Sequence, residues 1–329
     1  MELPESLRLA LESELDGIAA QRLAVVAQAL SERYRAQRGG GTPLATDAEQ
    51  ALAYAVARMP ATYAAVHAAL RESLAAMEIS RPVKLLDAGA GTGAACWAAD
   101  GLLDLHGVTC LEREPAMRAL GERLMKAASP ALRSARWRPY DLCQGLESQR
   151  GDVVIAAYVL NEIAQECRAA VALSLWEATA GLLLLVEPGT TVGFENLRAL
   201  RDVLTDAGAY IIAPCPQTDR PSCLNRPPDW CHFSCRVARS RMHRLLKRGD
   251  APYEDEKYAY LAFVREKPPH MPLKNQRARV LRHPQIRSGF VELSLCTDTG
   301  IRQVTFSKRD GDAYKRARKA RVGDVLEIE

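Results

Sequence analysis

The residues whose types and spacing suit chemistry fall into two groups, an acid followed by three glycines and a set of cysteines set among prolines. The first is Asp87-Ala88-Gly89-Ala90-Gly91-Thr92-Gly93. Without a Cβ, glycine lets the backbone turn tightly and approach a ligand closely. The second is Cys215, Cys223 and Cys231, eight residues apart, with four prolines after Cys215 in the intervening stretch. Thiolates ligate zinc and iron–sulfur centres, and a proline-stiffened loop can fold around a metal without breaking a helix or strand. Arg220, Arg226 and Arg236 lie close in sequence and favour the thiolate form. The spacing is neither the Cys-x-x-Cys of zinc ribbons nor a ferredoxin run, so unconnected structural cysteines remain an alternative on spacing alone.

The glycines need a strand before them and a helix after them. Val83 to Leu86 reads as a buried strand, and an Ala-rich, helix-prone segment starts at Ala94. A second apolar run, Val108 to Leu111, ends on Glu112, a little over twenty residues downstream, where an acid can hold both hydroxyls of a ribose. Further strands are expected to end at Tyr140-Asp141-Leu142, to run from Asp152 to Ala157 into Tyr158-Val159-Leu160-Asn161-Glu162, and to run from Leu182 to Val186. This alternation predicts an α/β fold with a doubly wound, mainly parallel sheet. Asp87, Gly89, Ala90, Gly91, Gly93, Glu112, Asp141 and Leu142 resemble the cofactor motifs of class I S-adenosylmethionine-dependent methyltransferases. A dinucleotide-binding domain is the main rival, and the acid leading the glycines favours the methyltransferase.

Around that core, residues 1–78 read as a helical cap, with a break at Gly39-Gly40-Gly41-Thr42-Pro43 and a second interruption at Pro60. The core is expected over 79–213 and a cysteine-rich segment over 214–266, the latter carrying an Arg-rich helix from about Ser234 to Arg248. A small β module with a basic C-terminal run is expected over 275–329. Its strands are read at Ala278 to Leu281, Phe290 to Cys296, Ile301 to Phe306 and Val325 to Ile328.

Charge divides the chain. Residues 1–200 carry 19 Lys and Arg against 24 Asp and Glu, whereas 201–329 carry 25 against 16, so the basic excess sits behind the core. Nine cysteines, an odd number without an export signal, argue against a disulfide framework. Cys96, Cys110, Cys143 and Cys167 read as packing residues. No apolar run is long enough to span a bilayer, and the acidic start Met1-Glu2-Leu3-Pro4-Glu5 resembles no targeting segment, so a cytoplasmic protein is expected.

A narrower resemblance rests on Pro214-Cys215-Pro216, Cys223, Asp229-Trp230-Cys231-His232-Phe233-Ser234 and Arg236-Val237-Ala238-Arg239-Ser240. It extends to Tyr253-Glu254-Asp255-Glu256-Lys257-Tyr258-Ala259-Tyr260-Leu261, to Arg58-Met59-Pro60-Ala61-Thr62-Tyr63 and to Cys296. Together these resemble the methyltransferase-like family associated with the small ribosomal subunit, shared by bacteria and mitochondria, over about residues 50–325. The resemblance implies a role in small-subunit assembly or translation and, from the mitochondrial members, an iron–sulfur cluster held by four cysteines. Carried over by motif, the ligands are Cys215, Cys223, Cys231 and Cys296. Cys235 competes as the fourth, one helical turn from Cys231 if that stretch is helical, and His232 and His243 are weaker candidates. A four-iron four-sulfur cluster is favoured, with zinc as the alternative.

The partner expected is the small subunit and its RNA, with no membrane or DNA. Arg236 to Arg248 holds six basic residues and no acid, and Lys308 to Arg321 holds seven against two acids. From these runs Arg236, Arg239, Arg244, Lys247, Arg248, Lys315, Arg316, Arg318 and Lys319 are the candidates for binding phosphates. Catalysis is less legible. The position after the fourth strand lacks the Asn/Asp-Pro-Pro-Tyr motif of many base methyltransferases, leaving Asn161 and Glu162 as candidates to orient a substrate or cap a helix. Three functions remain open: an RNA methyltransferase, an assembly factor that keeps the fold without turnover, and a small-molecule methyltransferase with structural zinc.

Overall fold

The computed structural model describes residues 1–36, 45–77, 79, 81–146, 149–215, 230–247, 249–267 and 277–327. The glycine break at 39–43, most of the linker at 267–274, Cys223 and Arg248 lie outside these residues. Three helices open the chain: α1 (Glu5–Glu14), α2 (Ala20–Ala36) and α3 (Ala48–Leu74). The core then alternates β1 (Val83–Ala88), α4 (Ala94–Asp100), β2 (Leu105–Leu111), α5 (Pro115–Met125), α6 (Pro130–Arg133), β3 (Arg136–Arg138), β4 (Gly151–Ala157), α7 (Arg168–Ala178), β5 (Thr179–Pro188), α8 (Thr191–Asp206) and β6 (Tyr210–Ala213). After the cysteine segment come β7 (Phe233–Ala238), α9 (Arg241–Leu246) and β8 (Tyr253–Val264). The β module holds β9 (Arg277–Val280), β10 (Gln285–Arg287), β11 (Phe290–Thr297), β12 (Gly300–Ser307), α10 (Gly311–Lys319) and β13 (Val325–Glu327).

The large sheet runs β3-β2-β1-β4-β5-β8-β6, with β7 added on β8. The pairings from β3 to β5 are parallel, and β8 inserts antiparallel between β5 and β6. Central strands are apolar on both faces because helices cover both: Leu182, Leu183, Leu184, Leu185 and Val186 in β5 are all fully buried. One core lies between the sheet and α1 to α5, the other between the sheet and α7 and α8. The order reverses at β1 and β4, so their C-terminal ends flank the crevice where doubly wound sheets bind ligands.

Three expectations are corrected. Helix α3 runs unbroken through Pro60: Asp47 caps it, accepting from the Gln50 amide at 2.8 Å, and Met59, Ala61, Tyr63 and Val66 around the proline are all buried. Tertiary burial outweighs the local cost of the missing donor. The Arg-rich stretch expected as one helix is instead strand β7 followed by the short α9. Its pattern has period two, with Phe233 and Val237 buried and Ser234 and Arg236 exposed, and β8 supplies the partner strand from Phe233↔Tyr258 to Ala238↔Tyr253. The third core strand also ends early, at Arg138, leaving Asp141 to open a 3₁₀ turn.

The β module is a five-stranded antiparallel sheet, β10-β11-β9-β13 with β12 on β11, closed by α10 over its own small core. The edge strand β10, which falls between β9 and β11 along the chain, was not expected from the sequence. Arg279 joins this module to the rest of the chain. Its Nε donates to the Pro214 carbonyl at 2.6 Å and its Nη1 to the Gly323 carbonyl at 2.7 Å, while Arg282 Nη2 donates to the Trp230 carbonyl at 2.9 Å.

Candidate functional site

At the end of β1 the chain enters three left-handed residues, Gly89, Gly91 and Gly93, at φ +77°, +54° and +87°. A Cβ at Gly89 would collide with Val159, whereas a Cβ at Gly91 would meet nothing within 4 Å. The loop is therefore packed shut on the protein side and open at Gly91, the geometry needed for a ligand to reach the backbone. The Gly89 and Ala90 amides donate to the Leu111 carbonyl at 2.8 and 3.0 Å, which fixes the loop beside the end of β2. Glu112 follows there, buried, accepting from the Gly91 amide and the Glu114 amide, each at 2.8 Å. Asp141 accepts from the Cys143 amide at 3.0 Å, and Leu142 beside it is buried in the core. All eight sequence-predicted cofactor residues thus lie at the C-terminal ends of the first strands or in the turn after the third. Helix α3 roofs the glycine loop with Tyr54, Met59 and Thr62, and the Thr92 hydroxyl reaches Met59 Sδ at 3.5 Å.

Burial perturbs the carboxyls along this edge. Asp87, 1% exposed, is pushed up to about 7 by burial, the Cys96 thiol donating to it at 3.2 Å. Glu162 and Glu187 are each pushed up to about 8 by burial, with Glu112 and Glu114 adding repulsion at Glu162 and Glu162 adding it at Glu187. A crevice of buried carboxyls that would rather be neutral suits a cationic ligand, whose charge offsets theirs.

Beyond β4 the side chains hold one another. Tyr158 has φ 60°, the one non-glycine residue with positive φ among the described residues. Its hydroxyl donates to Glu256 Oε1 at 2.8 Å, and Arg58 Nη2 stands 3.8 Å from the same oxygen. Two blocks far apart in sequence, around Arg58 on α3 and Glu256 on β8, therefore meet at the strand end beside the glycine loop. Asn161 Oδ1 accepts from Asn196 at 2.7 Å, and Asn196 in turn accepts from Arg168 at 2.6 Å.

Of the cysteine candidates, Cys215, Cys231 and Cys296 line one cavity between the core and the β module, brought together from three distant segments. Arg198, Arg201 and Arg279 share its wall, and no carboxylate does. Among the described residues no three His, Cys, Asp or Glu side chains converge closely enough to hold a metal ion. The lining still suits a thiolate-held group, with three soft sulfurs beside guanidinium groups whose own carboxylate partners, Glu195, Asp202 and Glu72, lie outside the wall. Cys235 lies elsewhere. It sits on β7 opposite Glu256, not one helical turn from Cys231, and burial with the Glu256 charge pushes its thiol up to about 12. His232 faces the Trp230 carbonyl at 3.2 Å, and His243 is buried 3.4 Å from Glu254.

The basic candidates divide. Arg239 and Lys247 turn inward onto Glu254 at 2.6 and 2.7 Å; against the opposing effect of burial, His243 and then Lys247 and Arg239 hold that carboxylate below its ordinary range. Arg236 is exposed but forks onto Asp255 at 2.8 and 3.0 Å and stacks over Tyr253. Arg244 lines a groove of about 950 Å³ between α1, α3 and α9, together with Arg8 and Arg241. On α10, Tyr314 and Ala317 pack inward and Lys315, Arg316, Arg318 and Lys319 all face solvent. The sequence showed charge runs; which members were already neutralised depended on strand partners it does not reveal.

The strand order, the antiparallel β8 and the acid–glycine loop define a class I methyltransferase-like protein. The chain belongs to the family described as mitochondrial small ribosomal subunit Rsm22, whose model matches residues 48–327. A curated relative, the human mitochondrial ribosome assembly protein METTL17, is 28% identical over 296 residues, which take in 84% of this chain and 62% of that protein. The chain thus spans less than two thirds of that relative's length. Among solved structures it is similar to the N-methyltransferase NodS from Bradyrhizobium japonicum WM9 in complex with S-adenosylhomocysteine (14% identity, TM-score 0.42, covering 73% of this chain and 99% of that one). Magnesium protoporphyrin IX methyltransferase from Synechocystis PCC 6803 is another (17%, 0.40, 72% and 94%). No helix among the described residues is long and apolar enough to cross a membrane.

Proposed function

We propose that this chain binds S-adenosylmethionine and works with the small ribosomal subunit during its assembly, with an iron–sulfur cluster fastening its β module to its core. The observation that carries the proposal is the cavity where Cys215, Cys231 and Cys296 meet between those two parts. Cys215, Cys223, Cys231 and Cys296 would hold the cluster, which would add a cross-link to the Arg279 and Arg282 hydrogen bonds between the two parts. Because the unfolded chain has no preformed site, that binding free energy stabilises the docked arrangement. In the crevice, the glycine loop would take the methionine end of the cofactor, Glu112 the ribose and Asp141 with Leu142 the adenine. The exposed residues Lys315, Arg316, Arg318 and Lys319 would meet ribosomal RNA through its phosphates. The cytoplasmic compartment read from the sequence is kept as part of the proposal.

Assembly is favoured over turnover because the side chains beyond β4 are already engaged: Tyr158 with Glu256, and Asn161 with Asn196. Methyl transfer to ribosomal RNA is the second reading, since alignment of nucleophile and sulfonium needs no dedicated base. Anaerobic purification followed by iron and sulfide analysis tests the cluster, and calorimetry with S-adenosylmethionine tests the crevice. A colourless protein holding one zinc, or no heat of binding, overturns the corresponding half. Transfer of labelled methyl from S-adenosylmethionine to small-subunit RNA would move the reading to the enzyme.

A further inference from the structure

The thiol cavity is also lined by Tyr260 on β8, whose hydroxyl is near enough to Arg279 and Cys231 to feel their charges. The residue is 3% exposed, and its ring packs in a cluster with Phe233 and Tyr258 at centroid distances of 5.3 and 6.0 Å. Its hydroxyl oxygen is buried and has no hydrogen-bond partner among the described residues. Such a group is costly, because it gave up water and received nothing in return. Phenylalanine would fill the same space without that cost. In the same wall Arg201 is 1% and Arg279 is 8% exposed, with Asp202 and Glu72 at 3.5 and 3.9 Å behind them, outside the lining. An unpartnered hydroxyl and two buried guanidinium groups therefore share a wall with three cysteines.

We infer that the Tyr260 hydroxyl donates a hydrogen bond to a sulfur of the thiolate-held centre, with Arg201 and Arg279 as its fixed counter-charges, and that these residues set the centre's reduction potential. The inference rests on the cluster proposed above and concerns residues that are not ligands. A donor to sulfur and nearby positive charge both stabilise the more negative, reduced state, so both raise the potential. Tyr260 is then a positioning residue for the centre.

The test is Tyr260→Phe in the full chain, purified anaerobically and titrated with dithionite as the electron donor. Iron and sulfide content should stay near that of the unmodified protein. The reduced-to-oxidised ratio at a fixed potential should fall about tenfold, which for a one-electron couple is ~59 mV. Arg201→Met should shift it the same way, and Arg201→Lys should recover most of the shift. Loss of iron from a folded Tyr260→Phe protein would overturn the inference, since a residue that only tunes the potential is not needed to hold the iron. An unchanged potential with the cluster retained overturns it and leaves the cluster reading standing. Unmodified protein without iron overturns both.

Discussion

Replacing Asp87 with asparagine should stabilise the protein at alkaline pH while removing its cofactor binding. Asp87 is 1% exposed, and the neutral Cys96 thiol lies within hydrogen-bond reach of its carboxyl at 3.2 Å. Burial raises its carboxyl from 3.8 to about 7. A carboxyl whose folded value lies above its unfolded value contributes stability in full below about 4, and that stability is lost as pH rises through about 7. Three units at ~1.4 kcal/mol each make the whole effect about 4 kcal/mol, of which about 2–3 kcal/mol falls between pH 5 and pH 8. Asparagine keeps the shape and does not ionise. Urea unfolding of ligand-free protein should therefore show Asp87→Asn more stable, relative to the unmodified chain, at pH 8 than at pH 5 by that amount. Calorimetry of the same variant should show S-adenosylmethionine binding lost. Equal stability differences at the two pH values would refute the reasoning, because the burial cost would then not reside on this carboxyl.

Other perturbations separate the remaining parts. Gly91→Arg should abolish S-adenosylmethionine binding in calorimetry and lower the melting temperature by a few degrees, since the space above Gly91 is open but its φ of +54° costs a side chain about 1 kcal/mol. The unmodified protein should bind S-adenosylmethionine more tightly as pH rises from 6 to 8, because ionised Asp87 and Glu162 favour a sulfonium; S-adenosylhomocysteine, which lacks that charge, should show a weaker pH dependence in the same titration. Cys223→Ser or Cys296→Ser should cost metal and soluble yield together, measured by elemental analysis, whereas Cys235→Ser on β7 should cost neither. Neutralising Lys315, Arg316, Arg318 and Lys319 together should flatten the slope of log affinity for ribosomal RNA against log salt, by about 0.7–0.9 for each phosphate these residues neutralise.

Local patterns carried the core, and long-range pairing withheld the rest. The strands from Val83, Val108 and Leu182 were legible because buried parallel strands are short, continuously apolar runs ending in turn residues. The glycine loop and Glu112 followed from their places at strand ends. The stretch from Phe233 misled because arginines dominate it, and arginine suits a helix as well as an exposed strand position; only pairing with β8 decides. Pro60 misled in the same way, since the burial that carries α3 through it comes from other elements. Arg239 and Lys247 read as surface charge because Glu254, which holds them, comes later in the sequence and across a strand pair. The meeting of Tyr158, Glu256 and Arg58 and the Tyr260 hydroxyl in the thiol cavity join segments with no local signature at all.

The central claim is that the cysteine-fastened β module lets this chain work on the small ribosomal subunit. Sucrose-gradient sedimentation of lysates from cells expressing tagged chain, unmodified or Cys296→Ser, measures this most directly. The account predicts the unmodified chain in the small-subunit fractions and the variant shifted to the top of the gradient. An unmodified chain that stays at the top, or a metal-free Cys296→Ser chain that still sediments with the small subunit, would contradict it.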